Sequence, residues 1–276
     1  MTGELRSGAV FGAYRIDGTI GRGGMGTVYR AVRVDASETV ALKVLRRELA
    51  ADSGYRHRFR HEARAAGAVA HPHLVPVLDA GEVDGLPFIA MPLVDGMALD
   101  RRLRRGELLT PHQVVRLAEE IGGALDALHA AGLMHRDVKP ANVLVMPDGR
   151  SALTDFGLAK GTSGYQTLTA AGMLVGTLEY VAPERIRGEQ ATPASDLYSL
   201  GCTLFECLTG GPPFPGAHQM TILVGHLQEE APNPSWQRAG LDERFGAALI
   251  AALAKDPGAR PRSGAEYAGA LAGAAV

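Results

Sequence analysis

His135-Arg136-Asp137-Val138-Lys139-Pro140-Ala141-Asn142 decides the reading of this chain. The segment follows a helix pattern that opens on Thr110 as N-cap, with Pro111 in the first turn and Gln113 three residues after the cap. That is a capping-box arrangement; the helix is expected to run to about Ala131 and to stop at Gly132. Thirteen residues after Asn142 comes Asp155-Phe156-Gly157, and further on Ala182-Pro183-Glu184. Taken singly, each polar residue reads as a solvated loop position, and D-F-G alone carries almost no information. The ordered set, on the elements expected for it, does not arise by chance.

The bulk properties narrow the class. A chain of 276 residues holds one large domain or two lobes with a sizeable core. A formal charge of −2 argues against nucleic acid or anionic membrane as an obligatory partner. Cys202 and Cys207 stand five apart in what reads as one helix, so they face different ways. Reduced thiols and a reducing compartment are expected. Met1 to Gly8 lacks the order of a signal peptide, and no apolar run approaches the ~18 residues of a membrane span. The expectation is a cytoplasmic globular chain, tethered to a membrane only if the full-length protein extends beyond residue 276.

Strand patterns come first. Tyr14 to Ile20 and Val28 to Val34 flank a glycine cluster, and Thr39 to Leu45 is a third short run. A helix over roughly Gly54 to Ala70 follows, then strand candidates around Leu74 to Leu78 and Leu86 to Leu93. Pro87 and Pro92 fall at an end or edge of the sheet. After Asp95-Gly96 the pattern turns helical, interrupted by strand-like pieces at Val143 to Val145 and Ala152 to Thr154. A small β-rich lobe therefore precedes a larger helical one, with a hinge near Met91 to Gly96.

Gly21-Arg22-Gly23-Gly24-Met25-Gly26 satisfies G-x-G-x-x-G. A dinucleotide fold needs a helix right after the third glycine. Here Thr27 to Val34 alternates at period two, so the loop joins two strands, and no Gly-Lys-Ser/Thr follows to make a P-loop. A glycine hairpin can lay bare backbone N–H groups over phosphates; the plainer reading is a tight turn. Val40-Ala41-Leu42-Lys43 puts one lysine in an apolar strand. On the next helix Phe59, Ala63, Ala66 and Val69 or Ala70 mark an apolar stripe, with Glu62 on the same side. A carboxylate facing a core needs a cationic partner, and Lys43 is the obvious one. A Lys43–Glu62 pair would hold the ammonium against the α- and β-phosphates of ATP.

With H-R-D-x-K-x-x-N, D-F-G and A-P-E in order, the chain resembles a bacterial eukaryotic-type Ser/Thr protein kinase catalytic domain, over about Tyr14 to Leu271. The resemblance implies an α+β, bilobal fold: residues 1–94 as a small antiparallel β-sheet lobe with one main helix, residues 95–276 as a larger, mainly helical lobe. It implies transfer of the γ-phosphoryl of Mg-ATP, with Mn²⁺ as a substitute metal, to Ser/Thr hydroxyls of proteins. Asp137 would orient the substrate hydroxyl and accept its proton, and Lys139 would neutralise the transferring phosphate. Asn142 and Asp155 would hold metal. Gly21, Gly23, Gly24, Gly26 and Lys43 would line the phosphates, and Ile20, Val28, Ala41 and Leu144 the adenine. Met91 matches the gatekeeper, Val94 the hinge and Asp95 a ribose contact. Pro92 replaces a glutamate common in related kinases, yet keeps the carbonyl that position needs. Asp196 looks like the aspartate that braces the catalytic loop, and Glu184 with Arg260 like the ion pair under the substrate platform, where Thr177 lies.

Arg136 resembles the arginine that meets an activation-loop phosphate, and Thr167-Leu168-Thr169 the paired-threonine autophosphorylation site, modified in trans. The resemblance implies protein substrates and a homodimer through the N-lobe, and no nucleic acid. A pseudokinase commonly lacks one of Lys43, Glu62, Asp137, Lys139, Asn142 and Asp155, all present here. A small-molecule phosphotransferase generally lacks the A-P-E segment and the Gly176-Thr177 platform.

Overall fold

A computed structural model describes residues 5–24, 26–51, 53–155 and 178–275. The chain forms two compact units, Met1–Ala70 with Val75–Asp95, and His71–Leu74 with Gly96–Val276.

The first unit is a six-stranded antiparallel sheet in the order β1-β2-β3-β4-β6-β5, built from β1 (Val10–Phe11), β2 (Tyr14–Arg22), β3 (Gly26–Arg33), β4 (Glu38–Leu45), β5 (Asp79–Val83) and β6 (Leu86–Pro92). Helices α1 (Arg47–Ala50) and α2 (Ser53–Gly67) lie between β4 and β5 in sequence. Strand alternation sets the two faces of the sheet. Val40, Leu42 and Val44 of β4 enter a core with Tyr14, Ile16, Tyr29, Ala31 and Ala90. Phe88 stands edge-on to Phe11 and Tyr14, with ring centroids 5.8 and 5.5 Å away. Ala41 and Lys43 take the opposite face. Along α2, Phe59, Ala63 and Ala66 are buried as the periodicity predicts, while the helix ends at Gly67 and leaves Val69 and Ala70 beyond it.

One expected strand is not where the apolar run placed it. Leu74 to Leu78 is not a strand of this sheet, and β5 begins only at Asp79. Pro76 has no N–H for a ladder, and Leu74 and Val75 are buried by tertiary packing instead. Leu74 bridges in parallel to Leu153, whose N–H donates to the His73 carbonyl at 2.8 Å.

The second unit opens with β7 (Met97–Ala98) and α3 (Leu99–Leu103), then α4 (Pro111–Ala130). The Gln113 N–H donates to Thr110 Oγ1 at 3.3 Å and the Thr110 N–H to Gln113 Oε1 at 2.8 Å, so the capping box forms. Gly132 then turns the chain at φ +73°. Strands β8 (Val143–Val145) and β9 (Ser151–Leu153) complete a three-stranded antiparallel sheet with β7. Among the described residues the α-helices that follow are α5 (Pro183–Ile186), α6 (Pro193–Thr209), α7 (Gln219–Gln228), α8 (Glu243–Ile250) and α9 (Gly264–Ala274). Cys202 and Cys207, on α6, are free and buried, and burial pushes both thiols up. Helix α4 packs against α6 and α9. At its crossing with α9, Gly122 and Gly264 bring backbone against backbone, and Asp126 caps α9 by accepting from the Gly264 and Ala265 N–H groups at 2.7 and 2.9 Å. Among the described residues no helix is long and apolar enough to cross a membrane.

Candidate active site

In the first unit the glycine cluster is the hairpin between β2 and β3. Gly26 is demanded by packing, since a Cβ there would stand 2.3 Å from the Val44 carbonyl oxygen on β4. Gly21 and Gly24 are not, because a Cβ would meet no atom within 4 Å. The hairpin thus keeps glycines at positions where packing within the protein does not require them. The Gly23 N–H closes the turn on the Gly26 carbonyl at 2.9 Å, and Arg46 donates to the Gly23 carbonyl at 3.0 Å.

The register of β4 places the next residues. Lys43 pairs with Val28 on β3 and Ile89 on β6, and Ala41 with Met91. Cross-strand partners share a face, so Val28, Ala41, Lys43 and Met91 gather on the side away from the aromatic core. Glu62 is half-buried on α2. Pro92 is the last residue of β6, paired with Val40, where its missing N–H breaks no interior ladder bond. Ile20 lies on β2, and Val94 and Asp95 follow β6.

In the second unit the chain from His135 to Asn142 is held from within. Asp196 on α6 is 1% exposed and accepts from the N–H groups of His135 and Arg136, each at 2.8 Å. This fixes Arg136 at φ +64°, a left-handed conformation costly for a residue with a side chain. His135 is fully buried; its Nε2 meets the Thr154 carbonyl at 3.1 Å and its Nδ1 lies 3.4 Å from the Asp137 N–H. Burial holds its imidazole below the ordinary histidine range, so it is neutral, with the proton on Nε2.

These braces present Asp137. Its Oδ2 accepts from Lys139 Nζ at 2.9 Å and from Asn142 Nδ2 at 3.0 Å, while Nδ2 also donates to the Asp137 carbonyl at 2.7 Å. Asn142 spends its NH₂ on Asp137, so its Oδ1 is the atom left to ligate. The Asn142 carbonyl accepts from the Thr154 N–H at 2.9 Å, which ties this loop to the residue before Asp155. Asp155 itself sits at φ +58°, a second left-handed residue of the same segment. Leu144 lies on β8, opposite Ala98 and Ala152.

Below this, Glu184 and Arg260 form a buried bidentate pair, with NH1 to Oε1 at 2.8 Å and NH2 to Oε2 at 2.9 Å. Ser195 Oγ donates to the same Oε1 at 2.7 Å. Burial raises the Glu184 carboxyl, but Arg260 and Ser195 outweigh it and hold the group below the usual carboxylate range. Phe156, Gly157, Thr167, Thr169 and Thr177 lie outside the described residues, as does Met25.

A curled antiparallel sheet with a glycine hairpin and a strand lysine, followed by a helical unit with a braced Asp-Lys-Asn loop, is the protein kinase fold. The chain belongs to that family: the family model for the protein kinase domain matches residues 14–264. Serine/threonine-protein kinase PknE of Mycobacterium tuberculosis is 44% identical over 256 residues, covering 93% of this chain and 45% of its own length. PknH of the same organism is 43% identical over 265 residues, 96% of this chain and 42% of its own length. The chain thus spans less than half the length of these curated relatives. The crystal structure of the M. tuberculosis PknI kinase domain superposes with a TM-score of 0.81 at 34% identity, covering 99% of this chain and 99% of that one. The resemblance and the fold expected from sequence both stand.

Three participants gave no signal in the sequence. His129, in the last turn of α4, adds Nε2 to Asp196 Oδ2 at 2.9 Å, so this carboxylate serves three donors. Ser195 joins the Glu184 pair, and Thr154 anchors both His135 and Asn142 through its backbone. All three are ordinary polar residues whose partners lie far away in sequence.

Proposed function

We propose that this domain is a Ser/Thr-protein kinase that transfers the γ-phosphoryl of ATP, with Mg²⁺ or in its place Mn²⁺, to Ser and Thr hydroxyls of proteins. The relatives at 43–44% identity are named serine/threonine-protein kinases. One observation carries the chemistry: Lys139 and Asn142 both hold the Asp137 carboxylate at Oδ2. A carboxylate so fixed orients a hydroxyl and takes its proton, while the ammonium beside it meets the charge on the moving phosphoryl group. Lys43 and Glu62 of the first unit orient the α- and β-phosphates, the glycine N–H groups cover them, and Ile20, Val28, Ala41, Met91 and Val94 receive the adenine. Thr177 presents the acceptor chain.

The residues fit a magnesium ion bound mainly through nucleotide. Among the described residues no group of three His, Cys, Asp or Glu could hold a metal ion alone. Mg²⁺ typically uses one or two side chains with substrate phosphates, and Asn142 Oδ1 with the Asp155 carboxylate supplies that number. When bound, the ion neutralises phosphoryl charge. Everything else falls to side chains: Asn142 fixes Asp137, and Asp137 fixes the acceptor.

Activation is by trans-autophosphorylation at Thr167 and Thr169, with Arg136 receiving the phosphate. The domain works in the cytoplasm, as a homodimer through its first unit. The test mixes active chain with Asp137→Asn chain of different mass and maps phosphate on the inactive partner. Phosphate on its Thr167 and Thr169 supports the reading; an unmodified inactive partner contradicts trans transfer. Light scattering at working concentration checks the dimer, which a monomer mass would contradict.

A further inference from the structure

His226 on α7 is fully buried and lies outside every role assigned above. Its Nδ1 lies 2.8 Å from Tyr198 Oη. Burial keeps the imidazole far below the ordinary histidine range, so it is neutral and Nδ1 accepts from the phenol, which leaves the proton on Nε2. That Nε2–H faces the backbone of Leu178 and Glu179, yet finds no aligned acceptor among the described residues. A neutral donor sealed from water normally finds a partner, and one left without asks for an explanation.

The surroundings hold the ring rigidly. Phe214 packs edge-on with centroids 5.0 Å apart, and Lys255 Nζ stands 4.1 Å over Phe214 while donating to the Gly225 carbonyl at 2.9 Å. On the far side, the Arg260 guanidinium lies 4.8 Å over the Tyr198 ring while gripping Glu184. The imidazole is therefore held in place against the turn that its Nε2–H faces. That turn, Leu178–Tyr180, is otherwise held by Ser199 Oγ donating to the Tyr180 carbonyl at 2.7 Å and by Tyr180 Oη donating to Glu206 at 2.5 Å. Leu178 and Val181 also pack on Ile222 of α7.

We infer that His226 is a positioning residue for the protein substrate, its Nε2–H setting the height of the Leu178–Tyr180 turn that follows Thr177. This rests on the reading that Thr177 presents the acceptor chain. Substrate seating moves the turn onto Nε2, so the donor is satisfied in the engaged state rather than the empty one, and binding of protein is favoured without any effect on nucleotide.

The experiment measures KM for casein and for ATP separately in the wild type, His226→Phe, His226→Gln and Thr177→Ala. Phenylalanine keeps the ring packing and removes both nitrogens; glutamine keeps an acceptor and a donor. The expected result for His226→Phe is a KM for casein raised about tenfold, with KM for ATP and kcat within about twofold, and partial rescue by glutamine. If His226→Phe fails to fold, Tyr198→Phe, which frees the tautomer, must show the same split on a smaller scale. Unchanged KM for casein in the folded variants, or a parallel rise in KM for ATP, overturns the inference. A Thr177→Ala effect beside a silent His226→Phe overturns it alone; silence in both overturns the platform reading as well.

Discussion

Lys139 Nζ and Asp137 Oδ2 stand 2.9 Å apart, with Asn142 Nδ2 on the same oxygen at 3.0 Å. Removing the lysine takes a charged donor from that oxygen and leaves Asn142 Nδ2 on it. Lys139→Ala is expected to lower kcat by about 10²-fold or more, the scale for removing one charge-stabilising group, while KM for ATP moves little. Steady-state kinetics decide it, and a rise in KM for ATP with unchanged kcat would reassign Lys139 to nucleotide binding.

The glycines of the hairpin separate fold from ligand. Gly26→Ala drives a Cβ into the Val44 carbonyl and should destabilise the first unit by about 1–3 kcal/mol in urea unfolding. Gly24→Ala meets nothing in the protein and should leave the unfolding midpoint within experimental scatter, yet raise KM for ATP.

The crossing of α4 and α9 makes a matching pair of predictions. A Cβ on Gly264 would stand 2.2 Å from the Gly122 carbonyl oxygen, so Gly264→Ala is expected to lower thermal stability by about 1–3 kcal/mol. At Gly269, inside α9, an added Cβ would meet no atom within 4 Å, so replacement by alanine should raise stability by about 0.5–1 kcal/mol.

The Glu184–Arg260 pair is buried on both sides, and Arg260 also holds the carbonyls of Ala254, Ala194 and Lys255. Arg260→Ala should cost about 3–5 kcal/mol, because a buried carboxylate is left uncompensated. The pH dependence follows from the lowered Glu184 carboxyl. Its folded value lies below the unfolded 4.5, so its stabilisation is complete above that value and is lost as pH falls through the folded one. The gap in urea midpoint between wild type and Glu184→Gln should therefore be full at pH 7 and shrink on acidification below 4.5. A gap that widens in acid would contradict it.

Much of this was legible in the chain because it is local. The Thr110–Gln113 box and the alternation that separates Lys43 from Leu42 are short-range patterns, and each lies where its pattern placed it. The Leu74 to Leu78 run misled because apolar alternation does not reveal that Leu74 is claimed by Leu153, nor weigh Pro76. His129 and His226 were silent for the same reason. Their partners, Asp196 and Tyr198, lie 67 and 28 residues away, and only packing joins them.

The most direct measurement is the intact mass of phosphatase-treated chain before and after incubation with Mg-ATP and casein, beside an Asp137→Asn control. Phosphate gained on the wild-type chain or on casein, and absent in the control, is the predicted result. ATP binding without any gain on either protein would contradict the account, leaving a nucleotide-binding domain that does not transfer.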